Sequence, residues 1–407
     1  MGCSSPLLAF QARTVYQAHV AQGSNVVTVD AFTTSVTTLP NPTSHPLPPS
    51  TPLLLLLPPP SFPPEERCGG RAVGASPPPW VQAWLSRAEN ETDAETDNNY
   101  KDGRPPWCLD VPAQPQNSSV YLASIVYVRI WPKEDLARLT FTDLAHWLTY
   151  SRYVGVERVY LYDTHHDDEE SVLNDEWIKT GVDSGFIELI DWQSIELGNL
   201  KADGTRKQKH ESAVQGTAYQ HVQKNYGNMA RWMTFTDMDE YPFCKGDTAP
   251  GFLSRFLLNA EREEDTQGNL GACERTTQFK MPNILLEGGR DDPRANSNYT
   301  RTGSKAMLIQ QATRLGKAPA NNLVKQIVRL DAAKKHGVHG SNLAFGRTTA
   351  LKAGDGVYMK HAWGGRRFGW RRIDEMNGEE RGKLFAETVE NDNAGIDRQV
   401  LRCFPSM

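Results

Sequence analysis

The chain has 407 residues, 39% of them hydrophobic, enough to bury one large core or two modest ones. Its formal charge of −5 gives no general attraction for nucleic acid or for an anionic membrane surface. An anionic ligand would have to be met by local basic residues or by a metal.

Residues 1–117 differ from the rest in composition. Nineteen of the 26 prolines lie before residue 116, and few stretches there show helical or strand periodicity, so this region is expected to be disordered or a linker. The run TPLLLLLPPP holds five leucines between prolines, far short of the roughly 20 apolar residues that span a bilayer, and no transmembrane segment is visible. MGCSSP begins like a myristoylation signal with Cys3 nearby, but Pro6 stands where that pattern asks for Ser or Thr. Six scattered cysteines show no CxxC spacing, which argues against structural zinc. Three sequons, at Asn90, Asn117 and Asn298, lean towards the secretory pathway, where Cys244 and Cys273 would either pair or remain two buried thiols.

From residue 119 the pattern alternates strand and helix. SVYLASIVYVRIW reads as a strand. TFTDLAHWLTYSRYVG puts Phe141, Leu144, Trp147, Leu148, Ser151 and Val154 on one helical stripe, with Thr140 or Thr142 as cap and Gly155 as stop. VERVYLYD is a buried strand, ESVLNDEWIKTG a helix and GFIELIDW a third strand. A long helix from about Lys207 to Tyr226 leads into RWMTFTD, the fourth strand. Strands joined by single helices imply right-handed crossovers and a largely parallel sheet, with ligands beyond the carboxyl ends of the strands.

Two acidic clusters sit at such ends. In YLYDTHHDDEE, Asp163 closes an apolar strand where an open α/β sheet presents groups to a nucleotide, while Asp167 and Asp168 read as caps of the next helix. His165 and His166 lack a spaced third ligand. In RWMTFTDMDEYPF, Asp237 and Asp239 alternate along what reads as extended chain, so both would face one side and could share a hard divalent cation. The plain structural alternative is a strand end whose acids cap the following turn.

GVERVYLYD, WMTFTDMDEYPF, KQIVRLDAAKKHGVHG and MKHAWGG, in that order, resemble glycosyltransferase family 92 over roughly residues 119 to 370. The most specific parts are the F-x-D-x-D-E-[FY] block and the ordered Lys, Arg, His and His after it. The resemblance implies a GT-A-like α/β fold, a mostly parallel sheet flanked by helices, and a metal-dependent inverting enzyme. Many members transfer galactose from UDP-galactose to glycans. It makes Asp237 and Asp239 the metal-binding pair and Asp163 a nucleotide contact, with Lys325 and Arg329 as phosphate or sugar contacts. His339 or His361 would complete the metal shell, with His339 the better candidate between Gly337 and Gly340, and His361 then acting on the donor. The family's first helix reads close to E-W-x-x-[YF]-H, whereas this chain has His146, Trp147, Tyr150 and Ser151. Its K-N-E after the first strand survives only loosely, as Arg129 and Glu134.

The chemistry can be argued independently. A sugar nucleotide's pyrophosphate gains negative charge as the glycosidic bond breaks, and a divalent ion on two carboxylates stabilises that leaving group. Mg²⁺ or Mn²⁺ suits such oxygens, and Mn²⁺ also accepts an imidazole. Inversion needs a general base, for which Glu274, Asp331 and Asp355 are unranked candidates. For Lys325 and Arg329 the alternative is an exposed basic strand. Two other readings remain. A haloacid dehalogenase-type phosphatase also uses D-x-D after a strand, but continues with a small residue and Thr where this chain has Glu240 and Tyr241. A non-catalytic carbohydrate-binding protein could keep the fold.

The expected organisation is a disordered region 1–117, a catalytic domain 118–375 and a tail 376–407. The partners would be a UDP-sugar donor and a glycan acceptor, with no nucleic acid, in the Golgi or another secretory-pathway lumen. Membrane association would not run through a segment visible here.

Overall fold

The structure is a computed structural model. It describes, in its main stretches, residues 13–20, 27–34, 105–111, 119–128, 140–164, 171–192, 211–268, 270–287, 307–311, 314–316, 324–352, 356–362 and 396–404. The chain divides into two compact units, Met1–Glu66 and Arg67–Met407. In the first, β1 (Arg13–Val20) pairs antiparallel with β2 (Val27–Thr34), a pairing that its sequence does not announce.

The second unit is built on a seven-stranded sheet. β3 (Val120–Val128), β4 (Arg158–Asp163) and β5 (Ile187–Asp191) run parallel, and β6 (Ala230–Phe235) joins β3 in the same sense. β8 (Thr276–Met281) runs parallel to β14 (Arg347–Ala350), and β11 (Lys325–Arg329) lies antiparallel between β6 and β8. Four of the six pairings are therefore parallel, as expected of a GT-A-like α/β fold. A second sheet, in the order β10 (Arg314–Leu315), β9 (Asn283–Glu287), β15 (Val357–His361), β7 (Glu240–Cys244), stands beside it. A third ribbon pairs β12 (Ala333–Gly337) with β13 (Gly340–Leu343).

Hydrophobic clusters cover both faces of the large sheet because its strands read as continuous apolar runs rather than alternating ones. Helix α1 (Phe141–Tyr153) is capped by Thr140 in a reciprocal capping box with Asp143. Asp143 to Tyr153 are all buried, so burial extends round the whole helix and takes in the polar residues outside the apolar stripe. His146, which stands where the family pattern has an acid, and Trp147 and Tyr150, which match that pattern, all make packing or backbone contacts. His146 packs edge-on against Phe404, Trp147 Nε1 donates to the Glu240 carbonyl at 2.9 Å, and Tyr150 Oη donates to the Pro242 carbonyl. Gly155, at φ 109°, lets the chain turn where a Cβ would lie 2.5 Å from Ser254 Oγ of α4 (Phe252–Thr266). The expected helix after Ser171 is interrupted. A single 3-10 turn, Val172–Asn174, precedes α2 (Glu176–Asp183), because Asp175 turns out of the helix to cap Trp177 and Ile178. The long helix α3 is described over Glu211–Tyr226.

The compact unit is wider than the 118–375 span. Trp107, Cys108 and Leu109 before it are buried, as are Ile396, Val400, Cys403 and Phe404 of α5 (Ile396–Leu401) and the residues after it. Cys108 and Cys403 form a disulfide, Trp107 Nε1 donates to the Gln399 carbonyl, and Arg152 donates to the carbonyls of Cys108 and Val111. The expected choice for Cys244 and Cys273 is corrected: Cys244 is a free thiol and Cys273 is disulfide-bonded elsewhere. Cys244 ends β7, and its thiol lies 4.0 Å from the Lys245 carbonyl oxygen.

Candidate active site

β6 carries the chain to Phe235 at the carboxyl edge of the large sheet, and β7 leaves it at Glu240 in the small one. The four residues between must change sheets. Glu240 N–H donates to the Asp237 carbonyl at 3.0 Å, so Asp237 to Glu240 form a turn. This corrects the expectation of an extended D-x-D. Alternation along a strand does not apply inside a turn, and the two acids meet different partners.

Asp237 accepts from Gln215 Nε2 of α3 at 2.7 Å through Oδ1 and from Lys325 Nζ of β11 at 2.9 Å through Oδ2. Asp239 is fully buried, its Oδ2 3.1 Å from His361 Nε2 at the end of β15. Glu240 joins the two. Its Oε2 accepts the Asp237 N–H at 2.9 Å and Lys325 Nζ at 2.9 Å, while its Oε1 accepts Asn283 Nδ2 at 3.0 Å and lies 3.6 Å from His361 Nδ1. The first residues of β7, β9 and β11 and the last of β15 thus converge on one turn. Burial pushes the Glu240 carboxyl up, against the pull of the Lys325 ammonium. Burial works to lower the Lys325 pKa, but Asp237 and Glu240 outweigh it and hold the ammonium charged.

The other expected site residues fall into three groups. His339 is exposed and bonds through Nδ1 to the Val324 carbonyl at 3.1 Å, so that in this tautomer Nε2 is the ring's acceptor. Burial, then the Lys325 charge, lowers its pKa, placing it within electrostatic range of the cluster. The imidazole that touches the acid pair is nevertheless His361. Asp163 lies at the same edge of the sheet as the cluster, but its Oδ2 caps the next turn, accepting from Ser171 Oγ at 2.8 Å and Val172 N at 3.2 Å. Arg329 is a different case: its guanidinium pairs with Asp331 at 2.6 Å, four residues down β11 from Lys325, or about 13 Å of extended chain. Neither Arg329 nor Asp331 is brought to the cluster. Glu274 closes a turn with the Gly271 N–H ahead of β8, at the other end of that strand from Met281, which pairs with Lys325. Asp355, with His165, His166, Asp167 and Asp168, lies outside the described residues. The alternative of an exposed basic strand fails for Lys325, which is 1% exposed.

Gln215 and Asn283 were not legible as site residues, since a neutral amide in a polar helix or at a strand start carries no charge signal. The local pair Arg329 and Asp331, two residues apart, could have been read as self-neutralising.

Among the described residues, no group of three or more His, Cys, Asp or Glu side chains is arranged to hold a metal ion. The chemistry of the donor set still fits one. Among the described residues, three carboxylates gather round one ammonium and one imidazole at the turn. Beside them two buried oxygens, Thr236 Oγ1 and Asn283 Oδ1, have no hydrogen-bond partner among the described residues. Clustered carboxylates beside unpartnered hard oxygens suit a divalent cation.

Among the described residues no helix is long and apolar enough to cross a membrane. No curated protein matches the chain. The model of glycosyltransferase family 92 matches residues 138–382, more than half of the chain, a span that includes the acid turn, Lys325 and His361.

Proposed function

Since the chain belongs to glycosyltransferase family 92, we propose that it is a metal-dependent, inverting hexosyltransferase that moves galactose from UDP-galactose to a glycan acceptor. The observation that carries this reading is the convergence of Asp237, Asp239, Glu240 and His361 at the carboxyl edge of the sheet, where an α/β fold receives its ligands. Asp237 and Asp239 would hold Mn²⁺ or Mg²⁺, with His361 as the nearest imidazole and His339 within reach of the same charges. When bound, such an ion supplies Lewis-acid stabilisation of the departing diphosphate.

The chain's own residues prepare that site. Gln215 and Lys325 fix Asp237 from two sides, and Asn283 with the Asp237 N–H fixes Glu240. Trp147 holds the Glu240 backbone from the far side, so the turn is anchored by both sheets and α1. A preorganised set of charges need not reorganise as the leaving group charges up. The Cys108–Cys403 disulfide and the sequons support a setting in the Golgi or another oxidising lumen.

A screen of UDP-sugars with Mn²⁺ and p-nitrophenyl phosphate, on the full chain, tests the proposal. Mn²⁺-dependent release of UDP with UDP-galactose in the presence of glycans is the expected result. Phosphate-ester hydrolysis without sugar transfer would replace it with a phosphatase.

A further inference from the structure

Resting on that metal-binding reading, we infer that Lys325 is a positioning residue that competes with the divalent cation for Asp237 and so sets how tightly the cation is held. The alternative role, a direct clamp on the donor's diphosphate, requires an accessible ammonium. Lys325 is 1% exposed, and its Nζ is 2.9 Å from both Asp237 Oδ2 and Glu240 Oε2.

The two carboxylates it touches are not equivalent. The Glu240 side chain is 1% exposed, with Oε2 shared between Lys325 and the Asp237 N–H and Oε1 taken by Asn283. It is a fixed seat for the ammonium. The Asp237 side chain is 24% exposed and is the member of the network that a ligand from solvent can reach. Its Oδ1 accepts from the neutral Gln215 amide and its Oδ2 from the Lys325 ammonium, so a cation that reaches this carboxylate meets the ammonium's charge on it. On arrival of that cation the ammonium keeps its bond to Glu240 and gives up the one to Asp237. The unpartnered Thr236 Oγ1 and Asn283 Oδ1, both buried beside the turn, are the oxygens available to the cation or its water shell.

The inference fixes opposite signs for two substitutions, which a merely structural role does not. Lys325→Gln keeps a hydrogen-bond donor but removes the competing charge, and should tighten Mn²⁺ binding about tenfold. Glu240→Gln removes the ammonium's other seat, drives Lys325 onto Asp237, and should weaken Mn²⁺ binding by about the same factor. Mn²⁺ affinity is measured by calorimetry on the full chain without nucleotide, with metal-free melting as the control for folding. If Lys325→Gln does not fold, the double substitution with Glu240→Gln removes both charges of the buried pair together and should also bind Mn²⁺ more tightly than wild type. Affinities unchanged, or weakened in every variant, overturn the inference while leaving the metal reading in place. No Mn²⁺ binding by the wild type overturns both.

Discussion

The two edges of the large sheet both bury carboxylates, and they treat them in opposite ways. At the amino edge of β3, Glu157 Oε1 accepts the backbone N–H groups of Tyr121 and Leu122, and burial raises its pKa to about 7. Next to it Glu261 is matched by the Arg231 guanidinium, the Trp232 indole and the Tyr121 hydroxyl. Each of these acids has neutral donors or a cation of its own. At the carboxyl edge, among the described residues, three acids crowd round one ammonium and one imidazole. A matched edge is what stability alone produces, because buried charges left over are costly. An edge that gathers three acids round one turn, with the unpartnered Thr236 Oγ1 and Asn283 Oδ1 beside them, holds the donors that the proposed cation would need.

The contrast can be broken most sharply at Asp239. Asp239→Asn should abolish Mn²⁺-dependent UDP binding, a loss of about a hundredfold or more, while metal-free melting stays near wild type. Unchanged UDP affinity in calorimetry would remove the functional half of the comparison. Glu261→Ala is the counterpart at the other edge. It removes the acceptor shared by a guanidinium, an indole and a phenol, and should cost about 3 kcal/mol in chemical denaturation with UDP affinity unaltered.

A third test concerns His336, which stacks on Phe235 just before the acid turn, its ring centroid 4.6 Å away. Burial lowers its pKa to about 4, so the folded protein holds the ring neutral where the unfolded chain protonates it near pH 6.5. Its contribution is complete above pH 6.5 and is lost as pH falls towards 4. Relative to His336→Phe, the wild type should lose about 2 kcal/mol between pH 7 and pH 5. Equal pH slopes for the two proteins would show that this edge does not exclude charge outside the cluster. The smallest effect is expected at Trp147. Trp147→Phe removes the indole bond to the Glu240 carbonyl and should cost about 1 kcal/mol of stability, with a fewfold rise in the Kd for UDP at fixed Mn²⁺.

What the sequence made legible follows the same division. The parallel strands were readable because β3, β4 and β6 are continuous apolar runs, and the acid turn because it interrupts one of them. The network around it was not. Lys325 lies 88 residues from Asp237, and a lysine beginning KQIVR reads equally well as a solvated strand. Asn283 and Gln215 are amides whose role exists only once two sheets and a helix have met. His339 and His361 could not be ranked, because adjacency to Asp239 depends on the register of β15 against β7, where His361 pairs with Glu240. Periodicity specifies elements. Register and sheet-to-sheet contact, which choose between two histidines, are properties of the assembled chain.

The bond between Cys108 and Cys403 has a topological consequence. Their Cα atoms are 5.2 Å apart although 295 positions separate them along the chain, so two distant points of the backbone are tied at one place. Everything between, including each residue of the acid network, lies on a closed covalent ring. A single protease cut in any of its loops opens the ring without releasing a fragment, and the clipped protein still migrates as one species until a reductant is added.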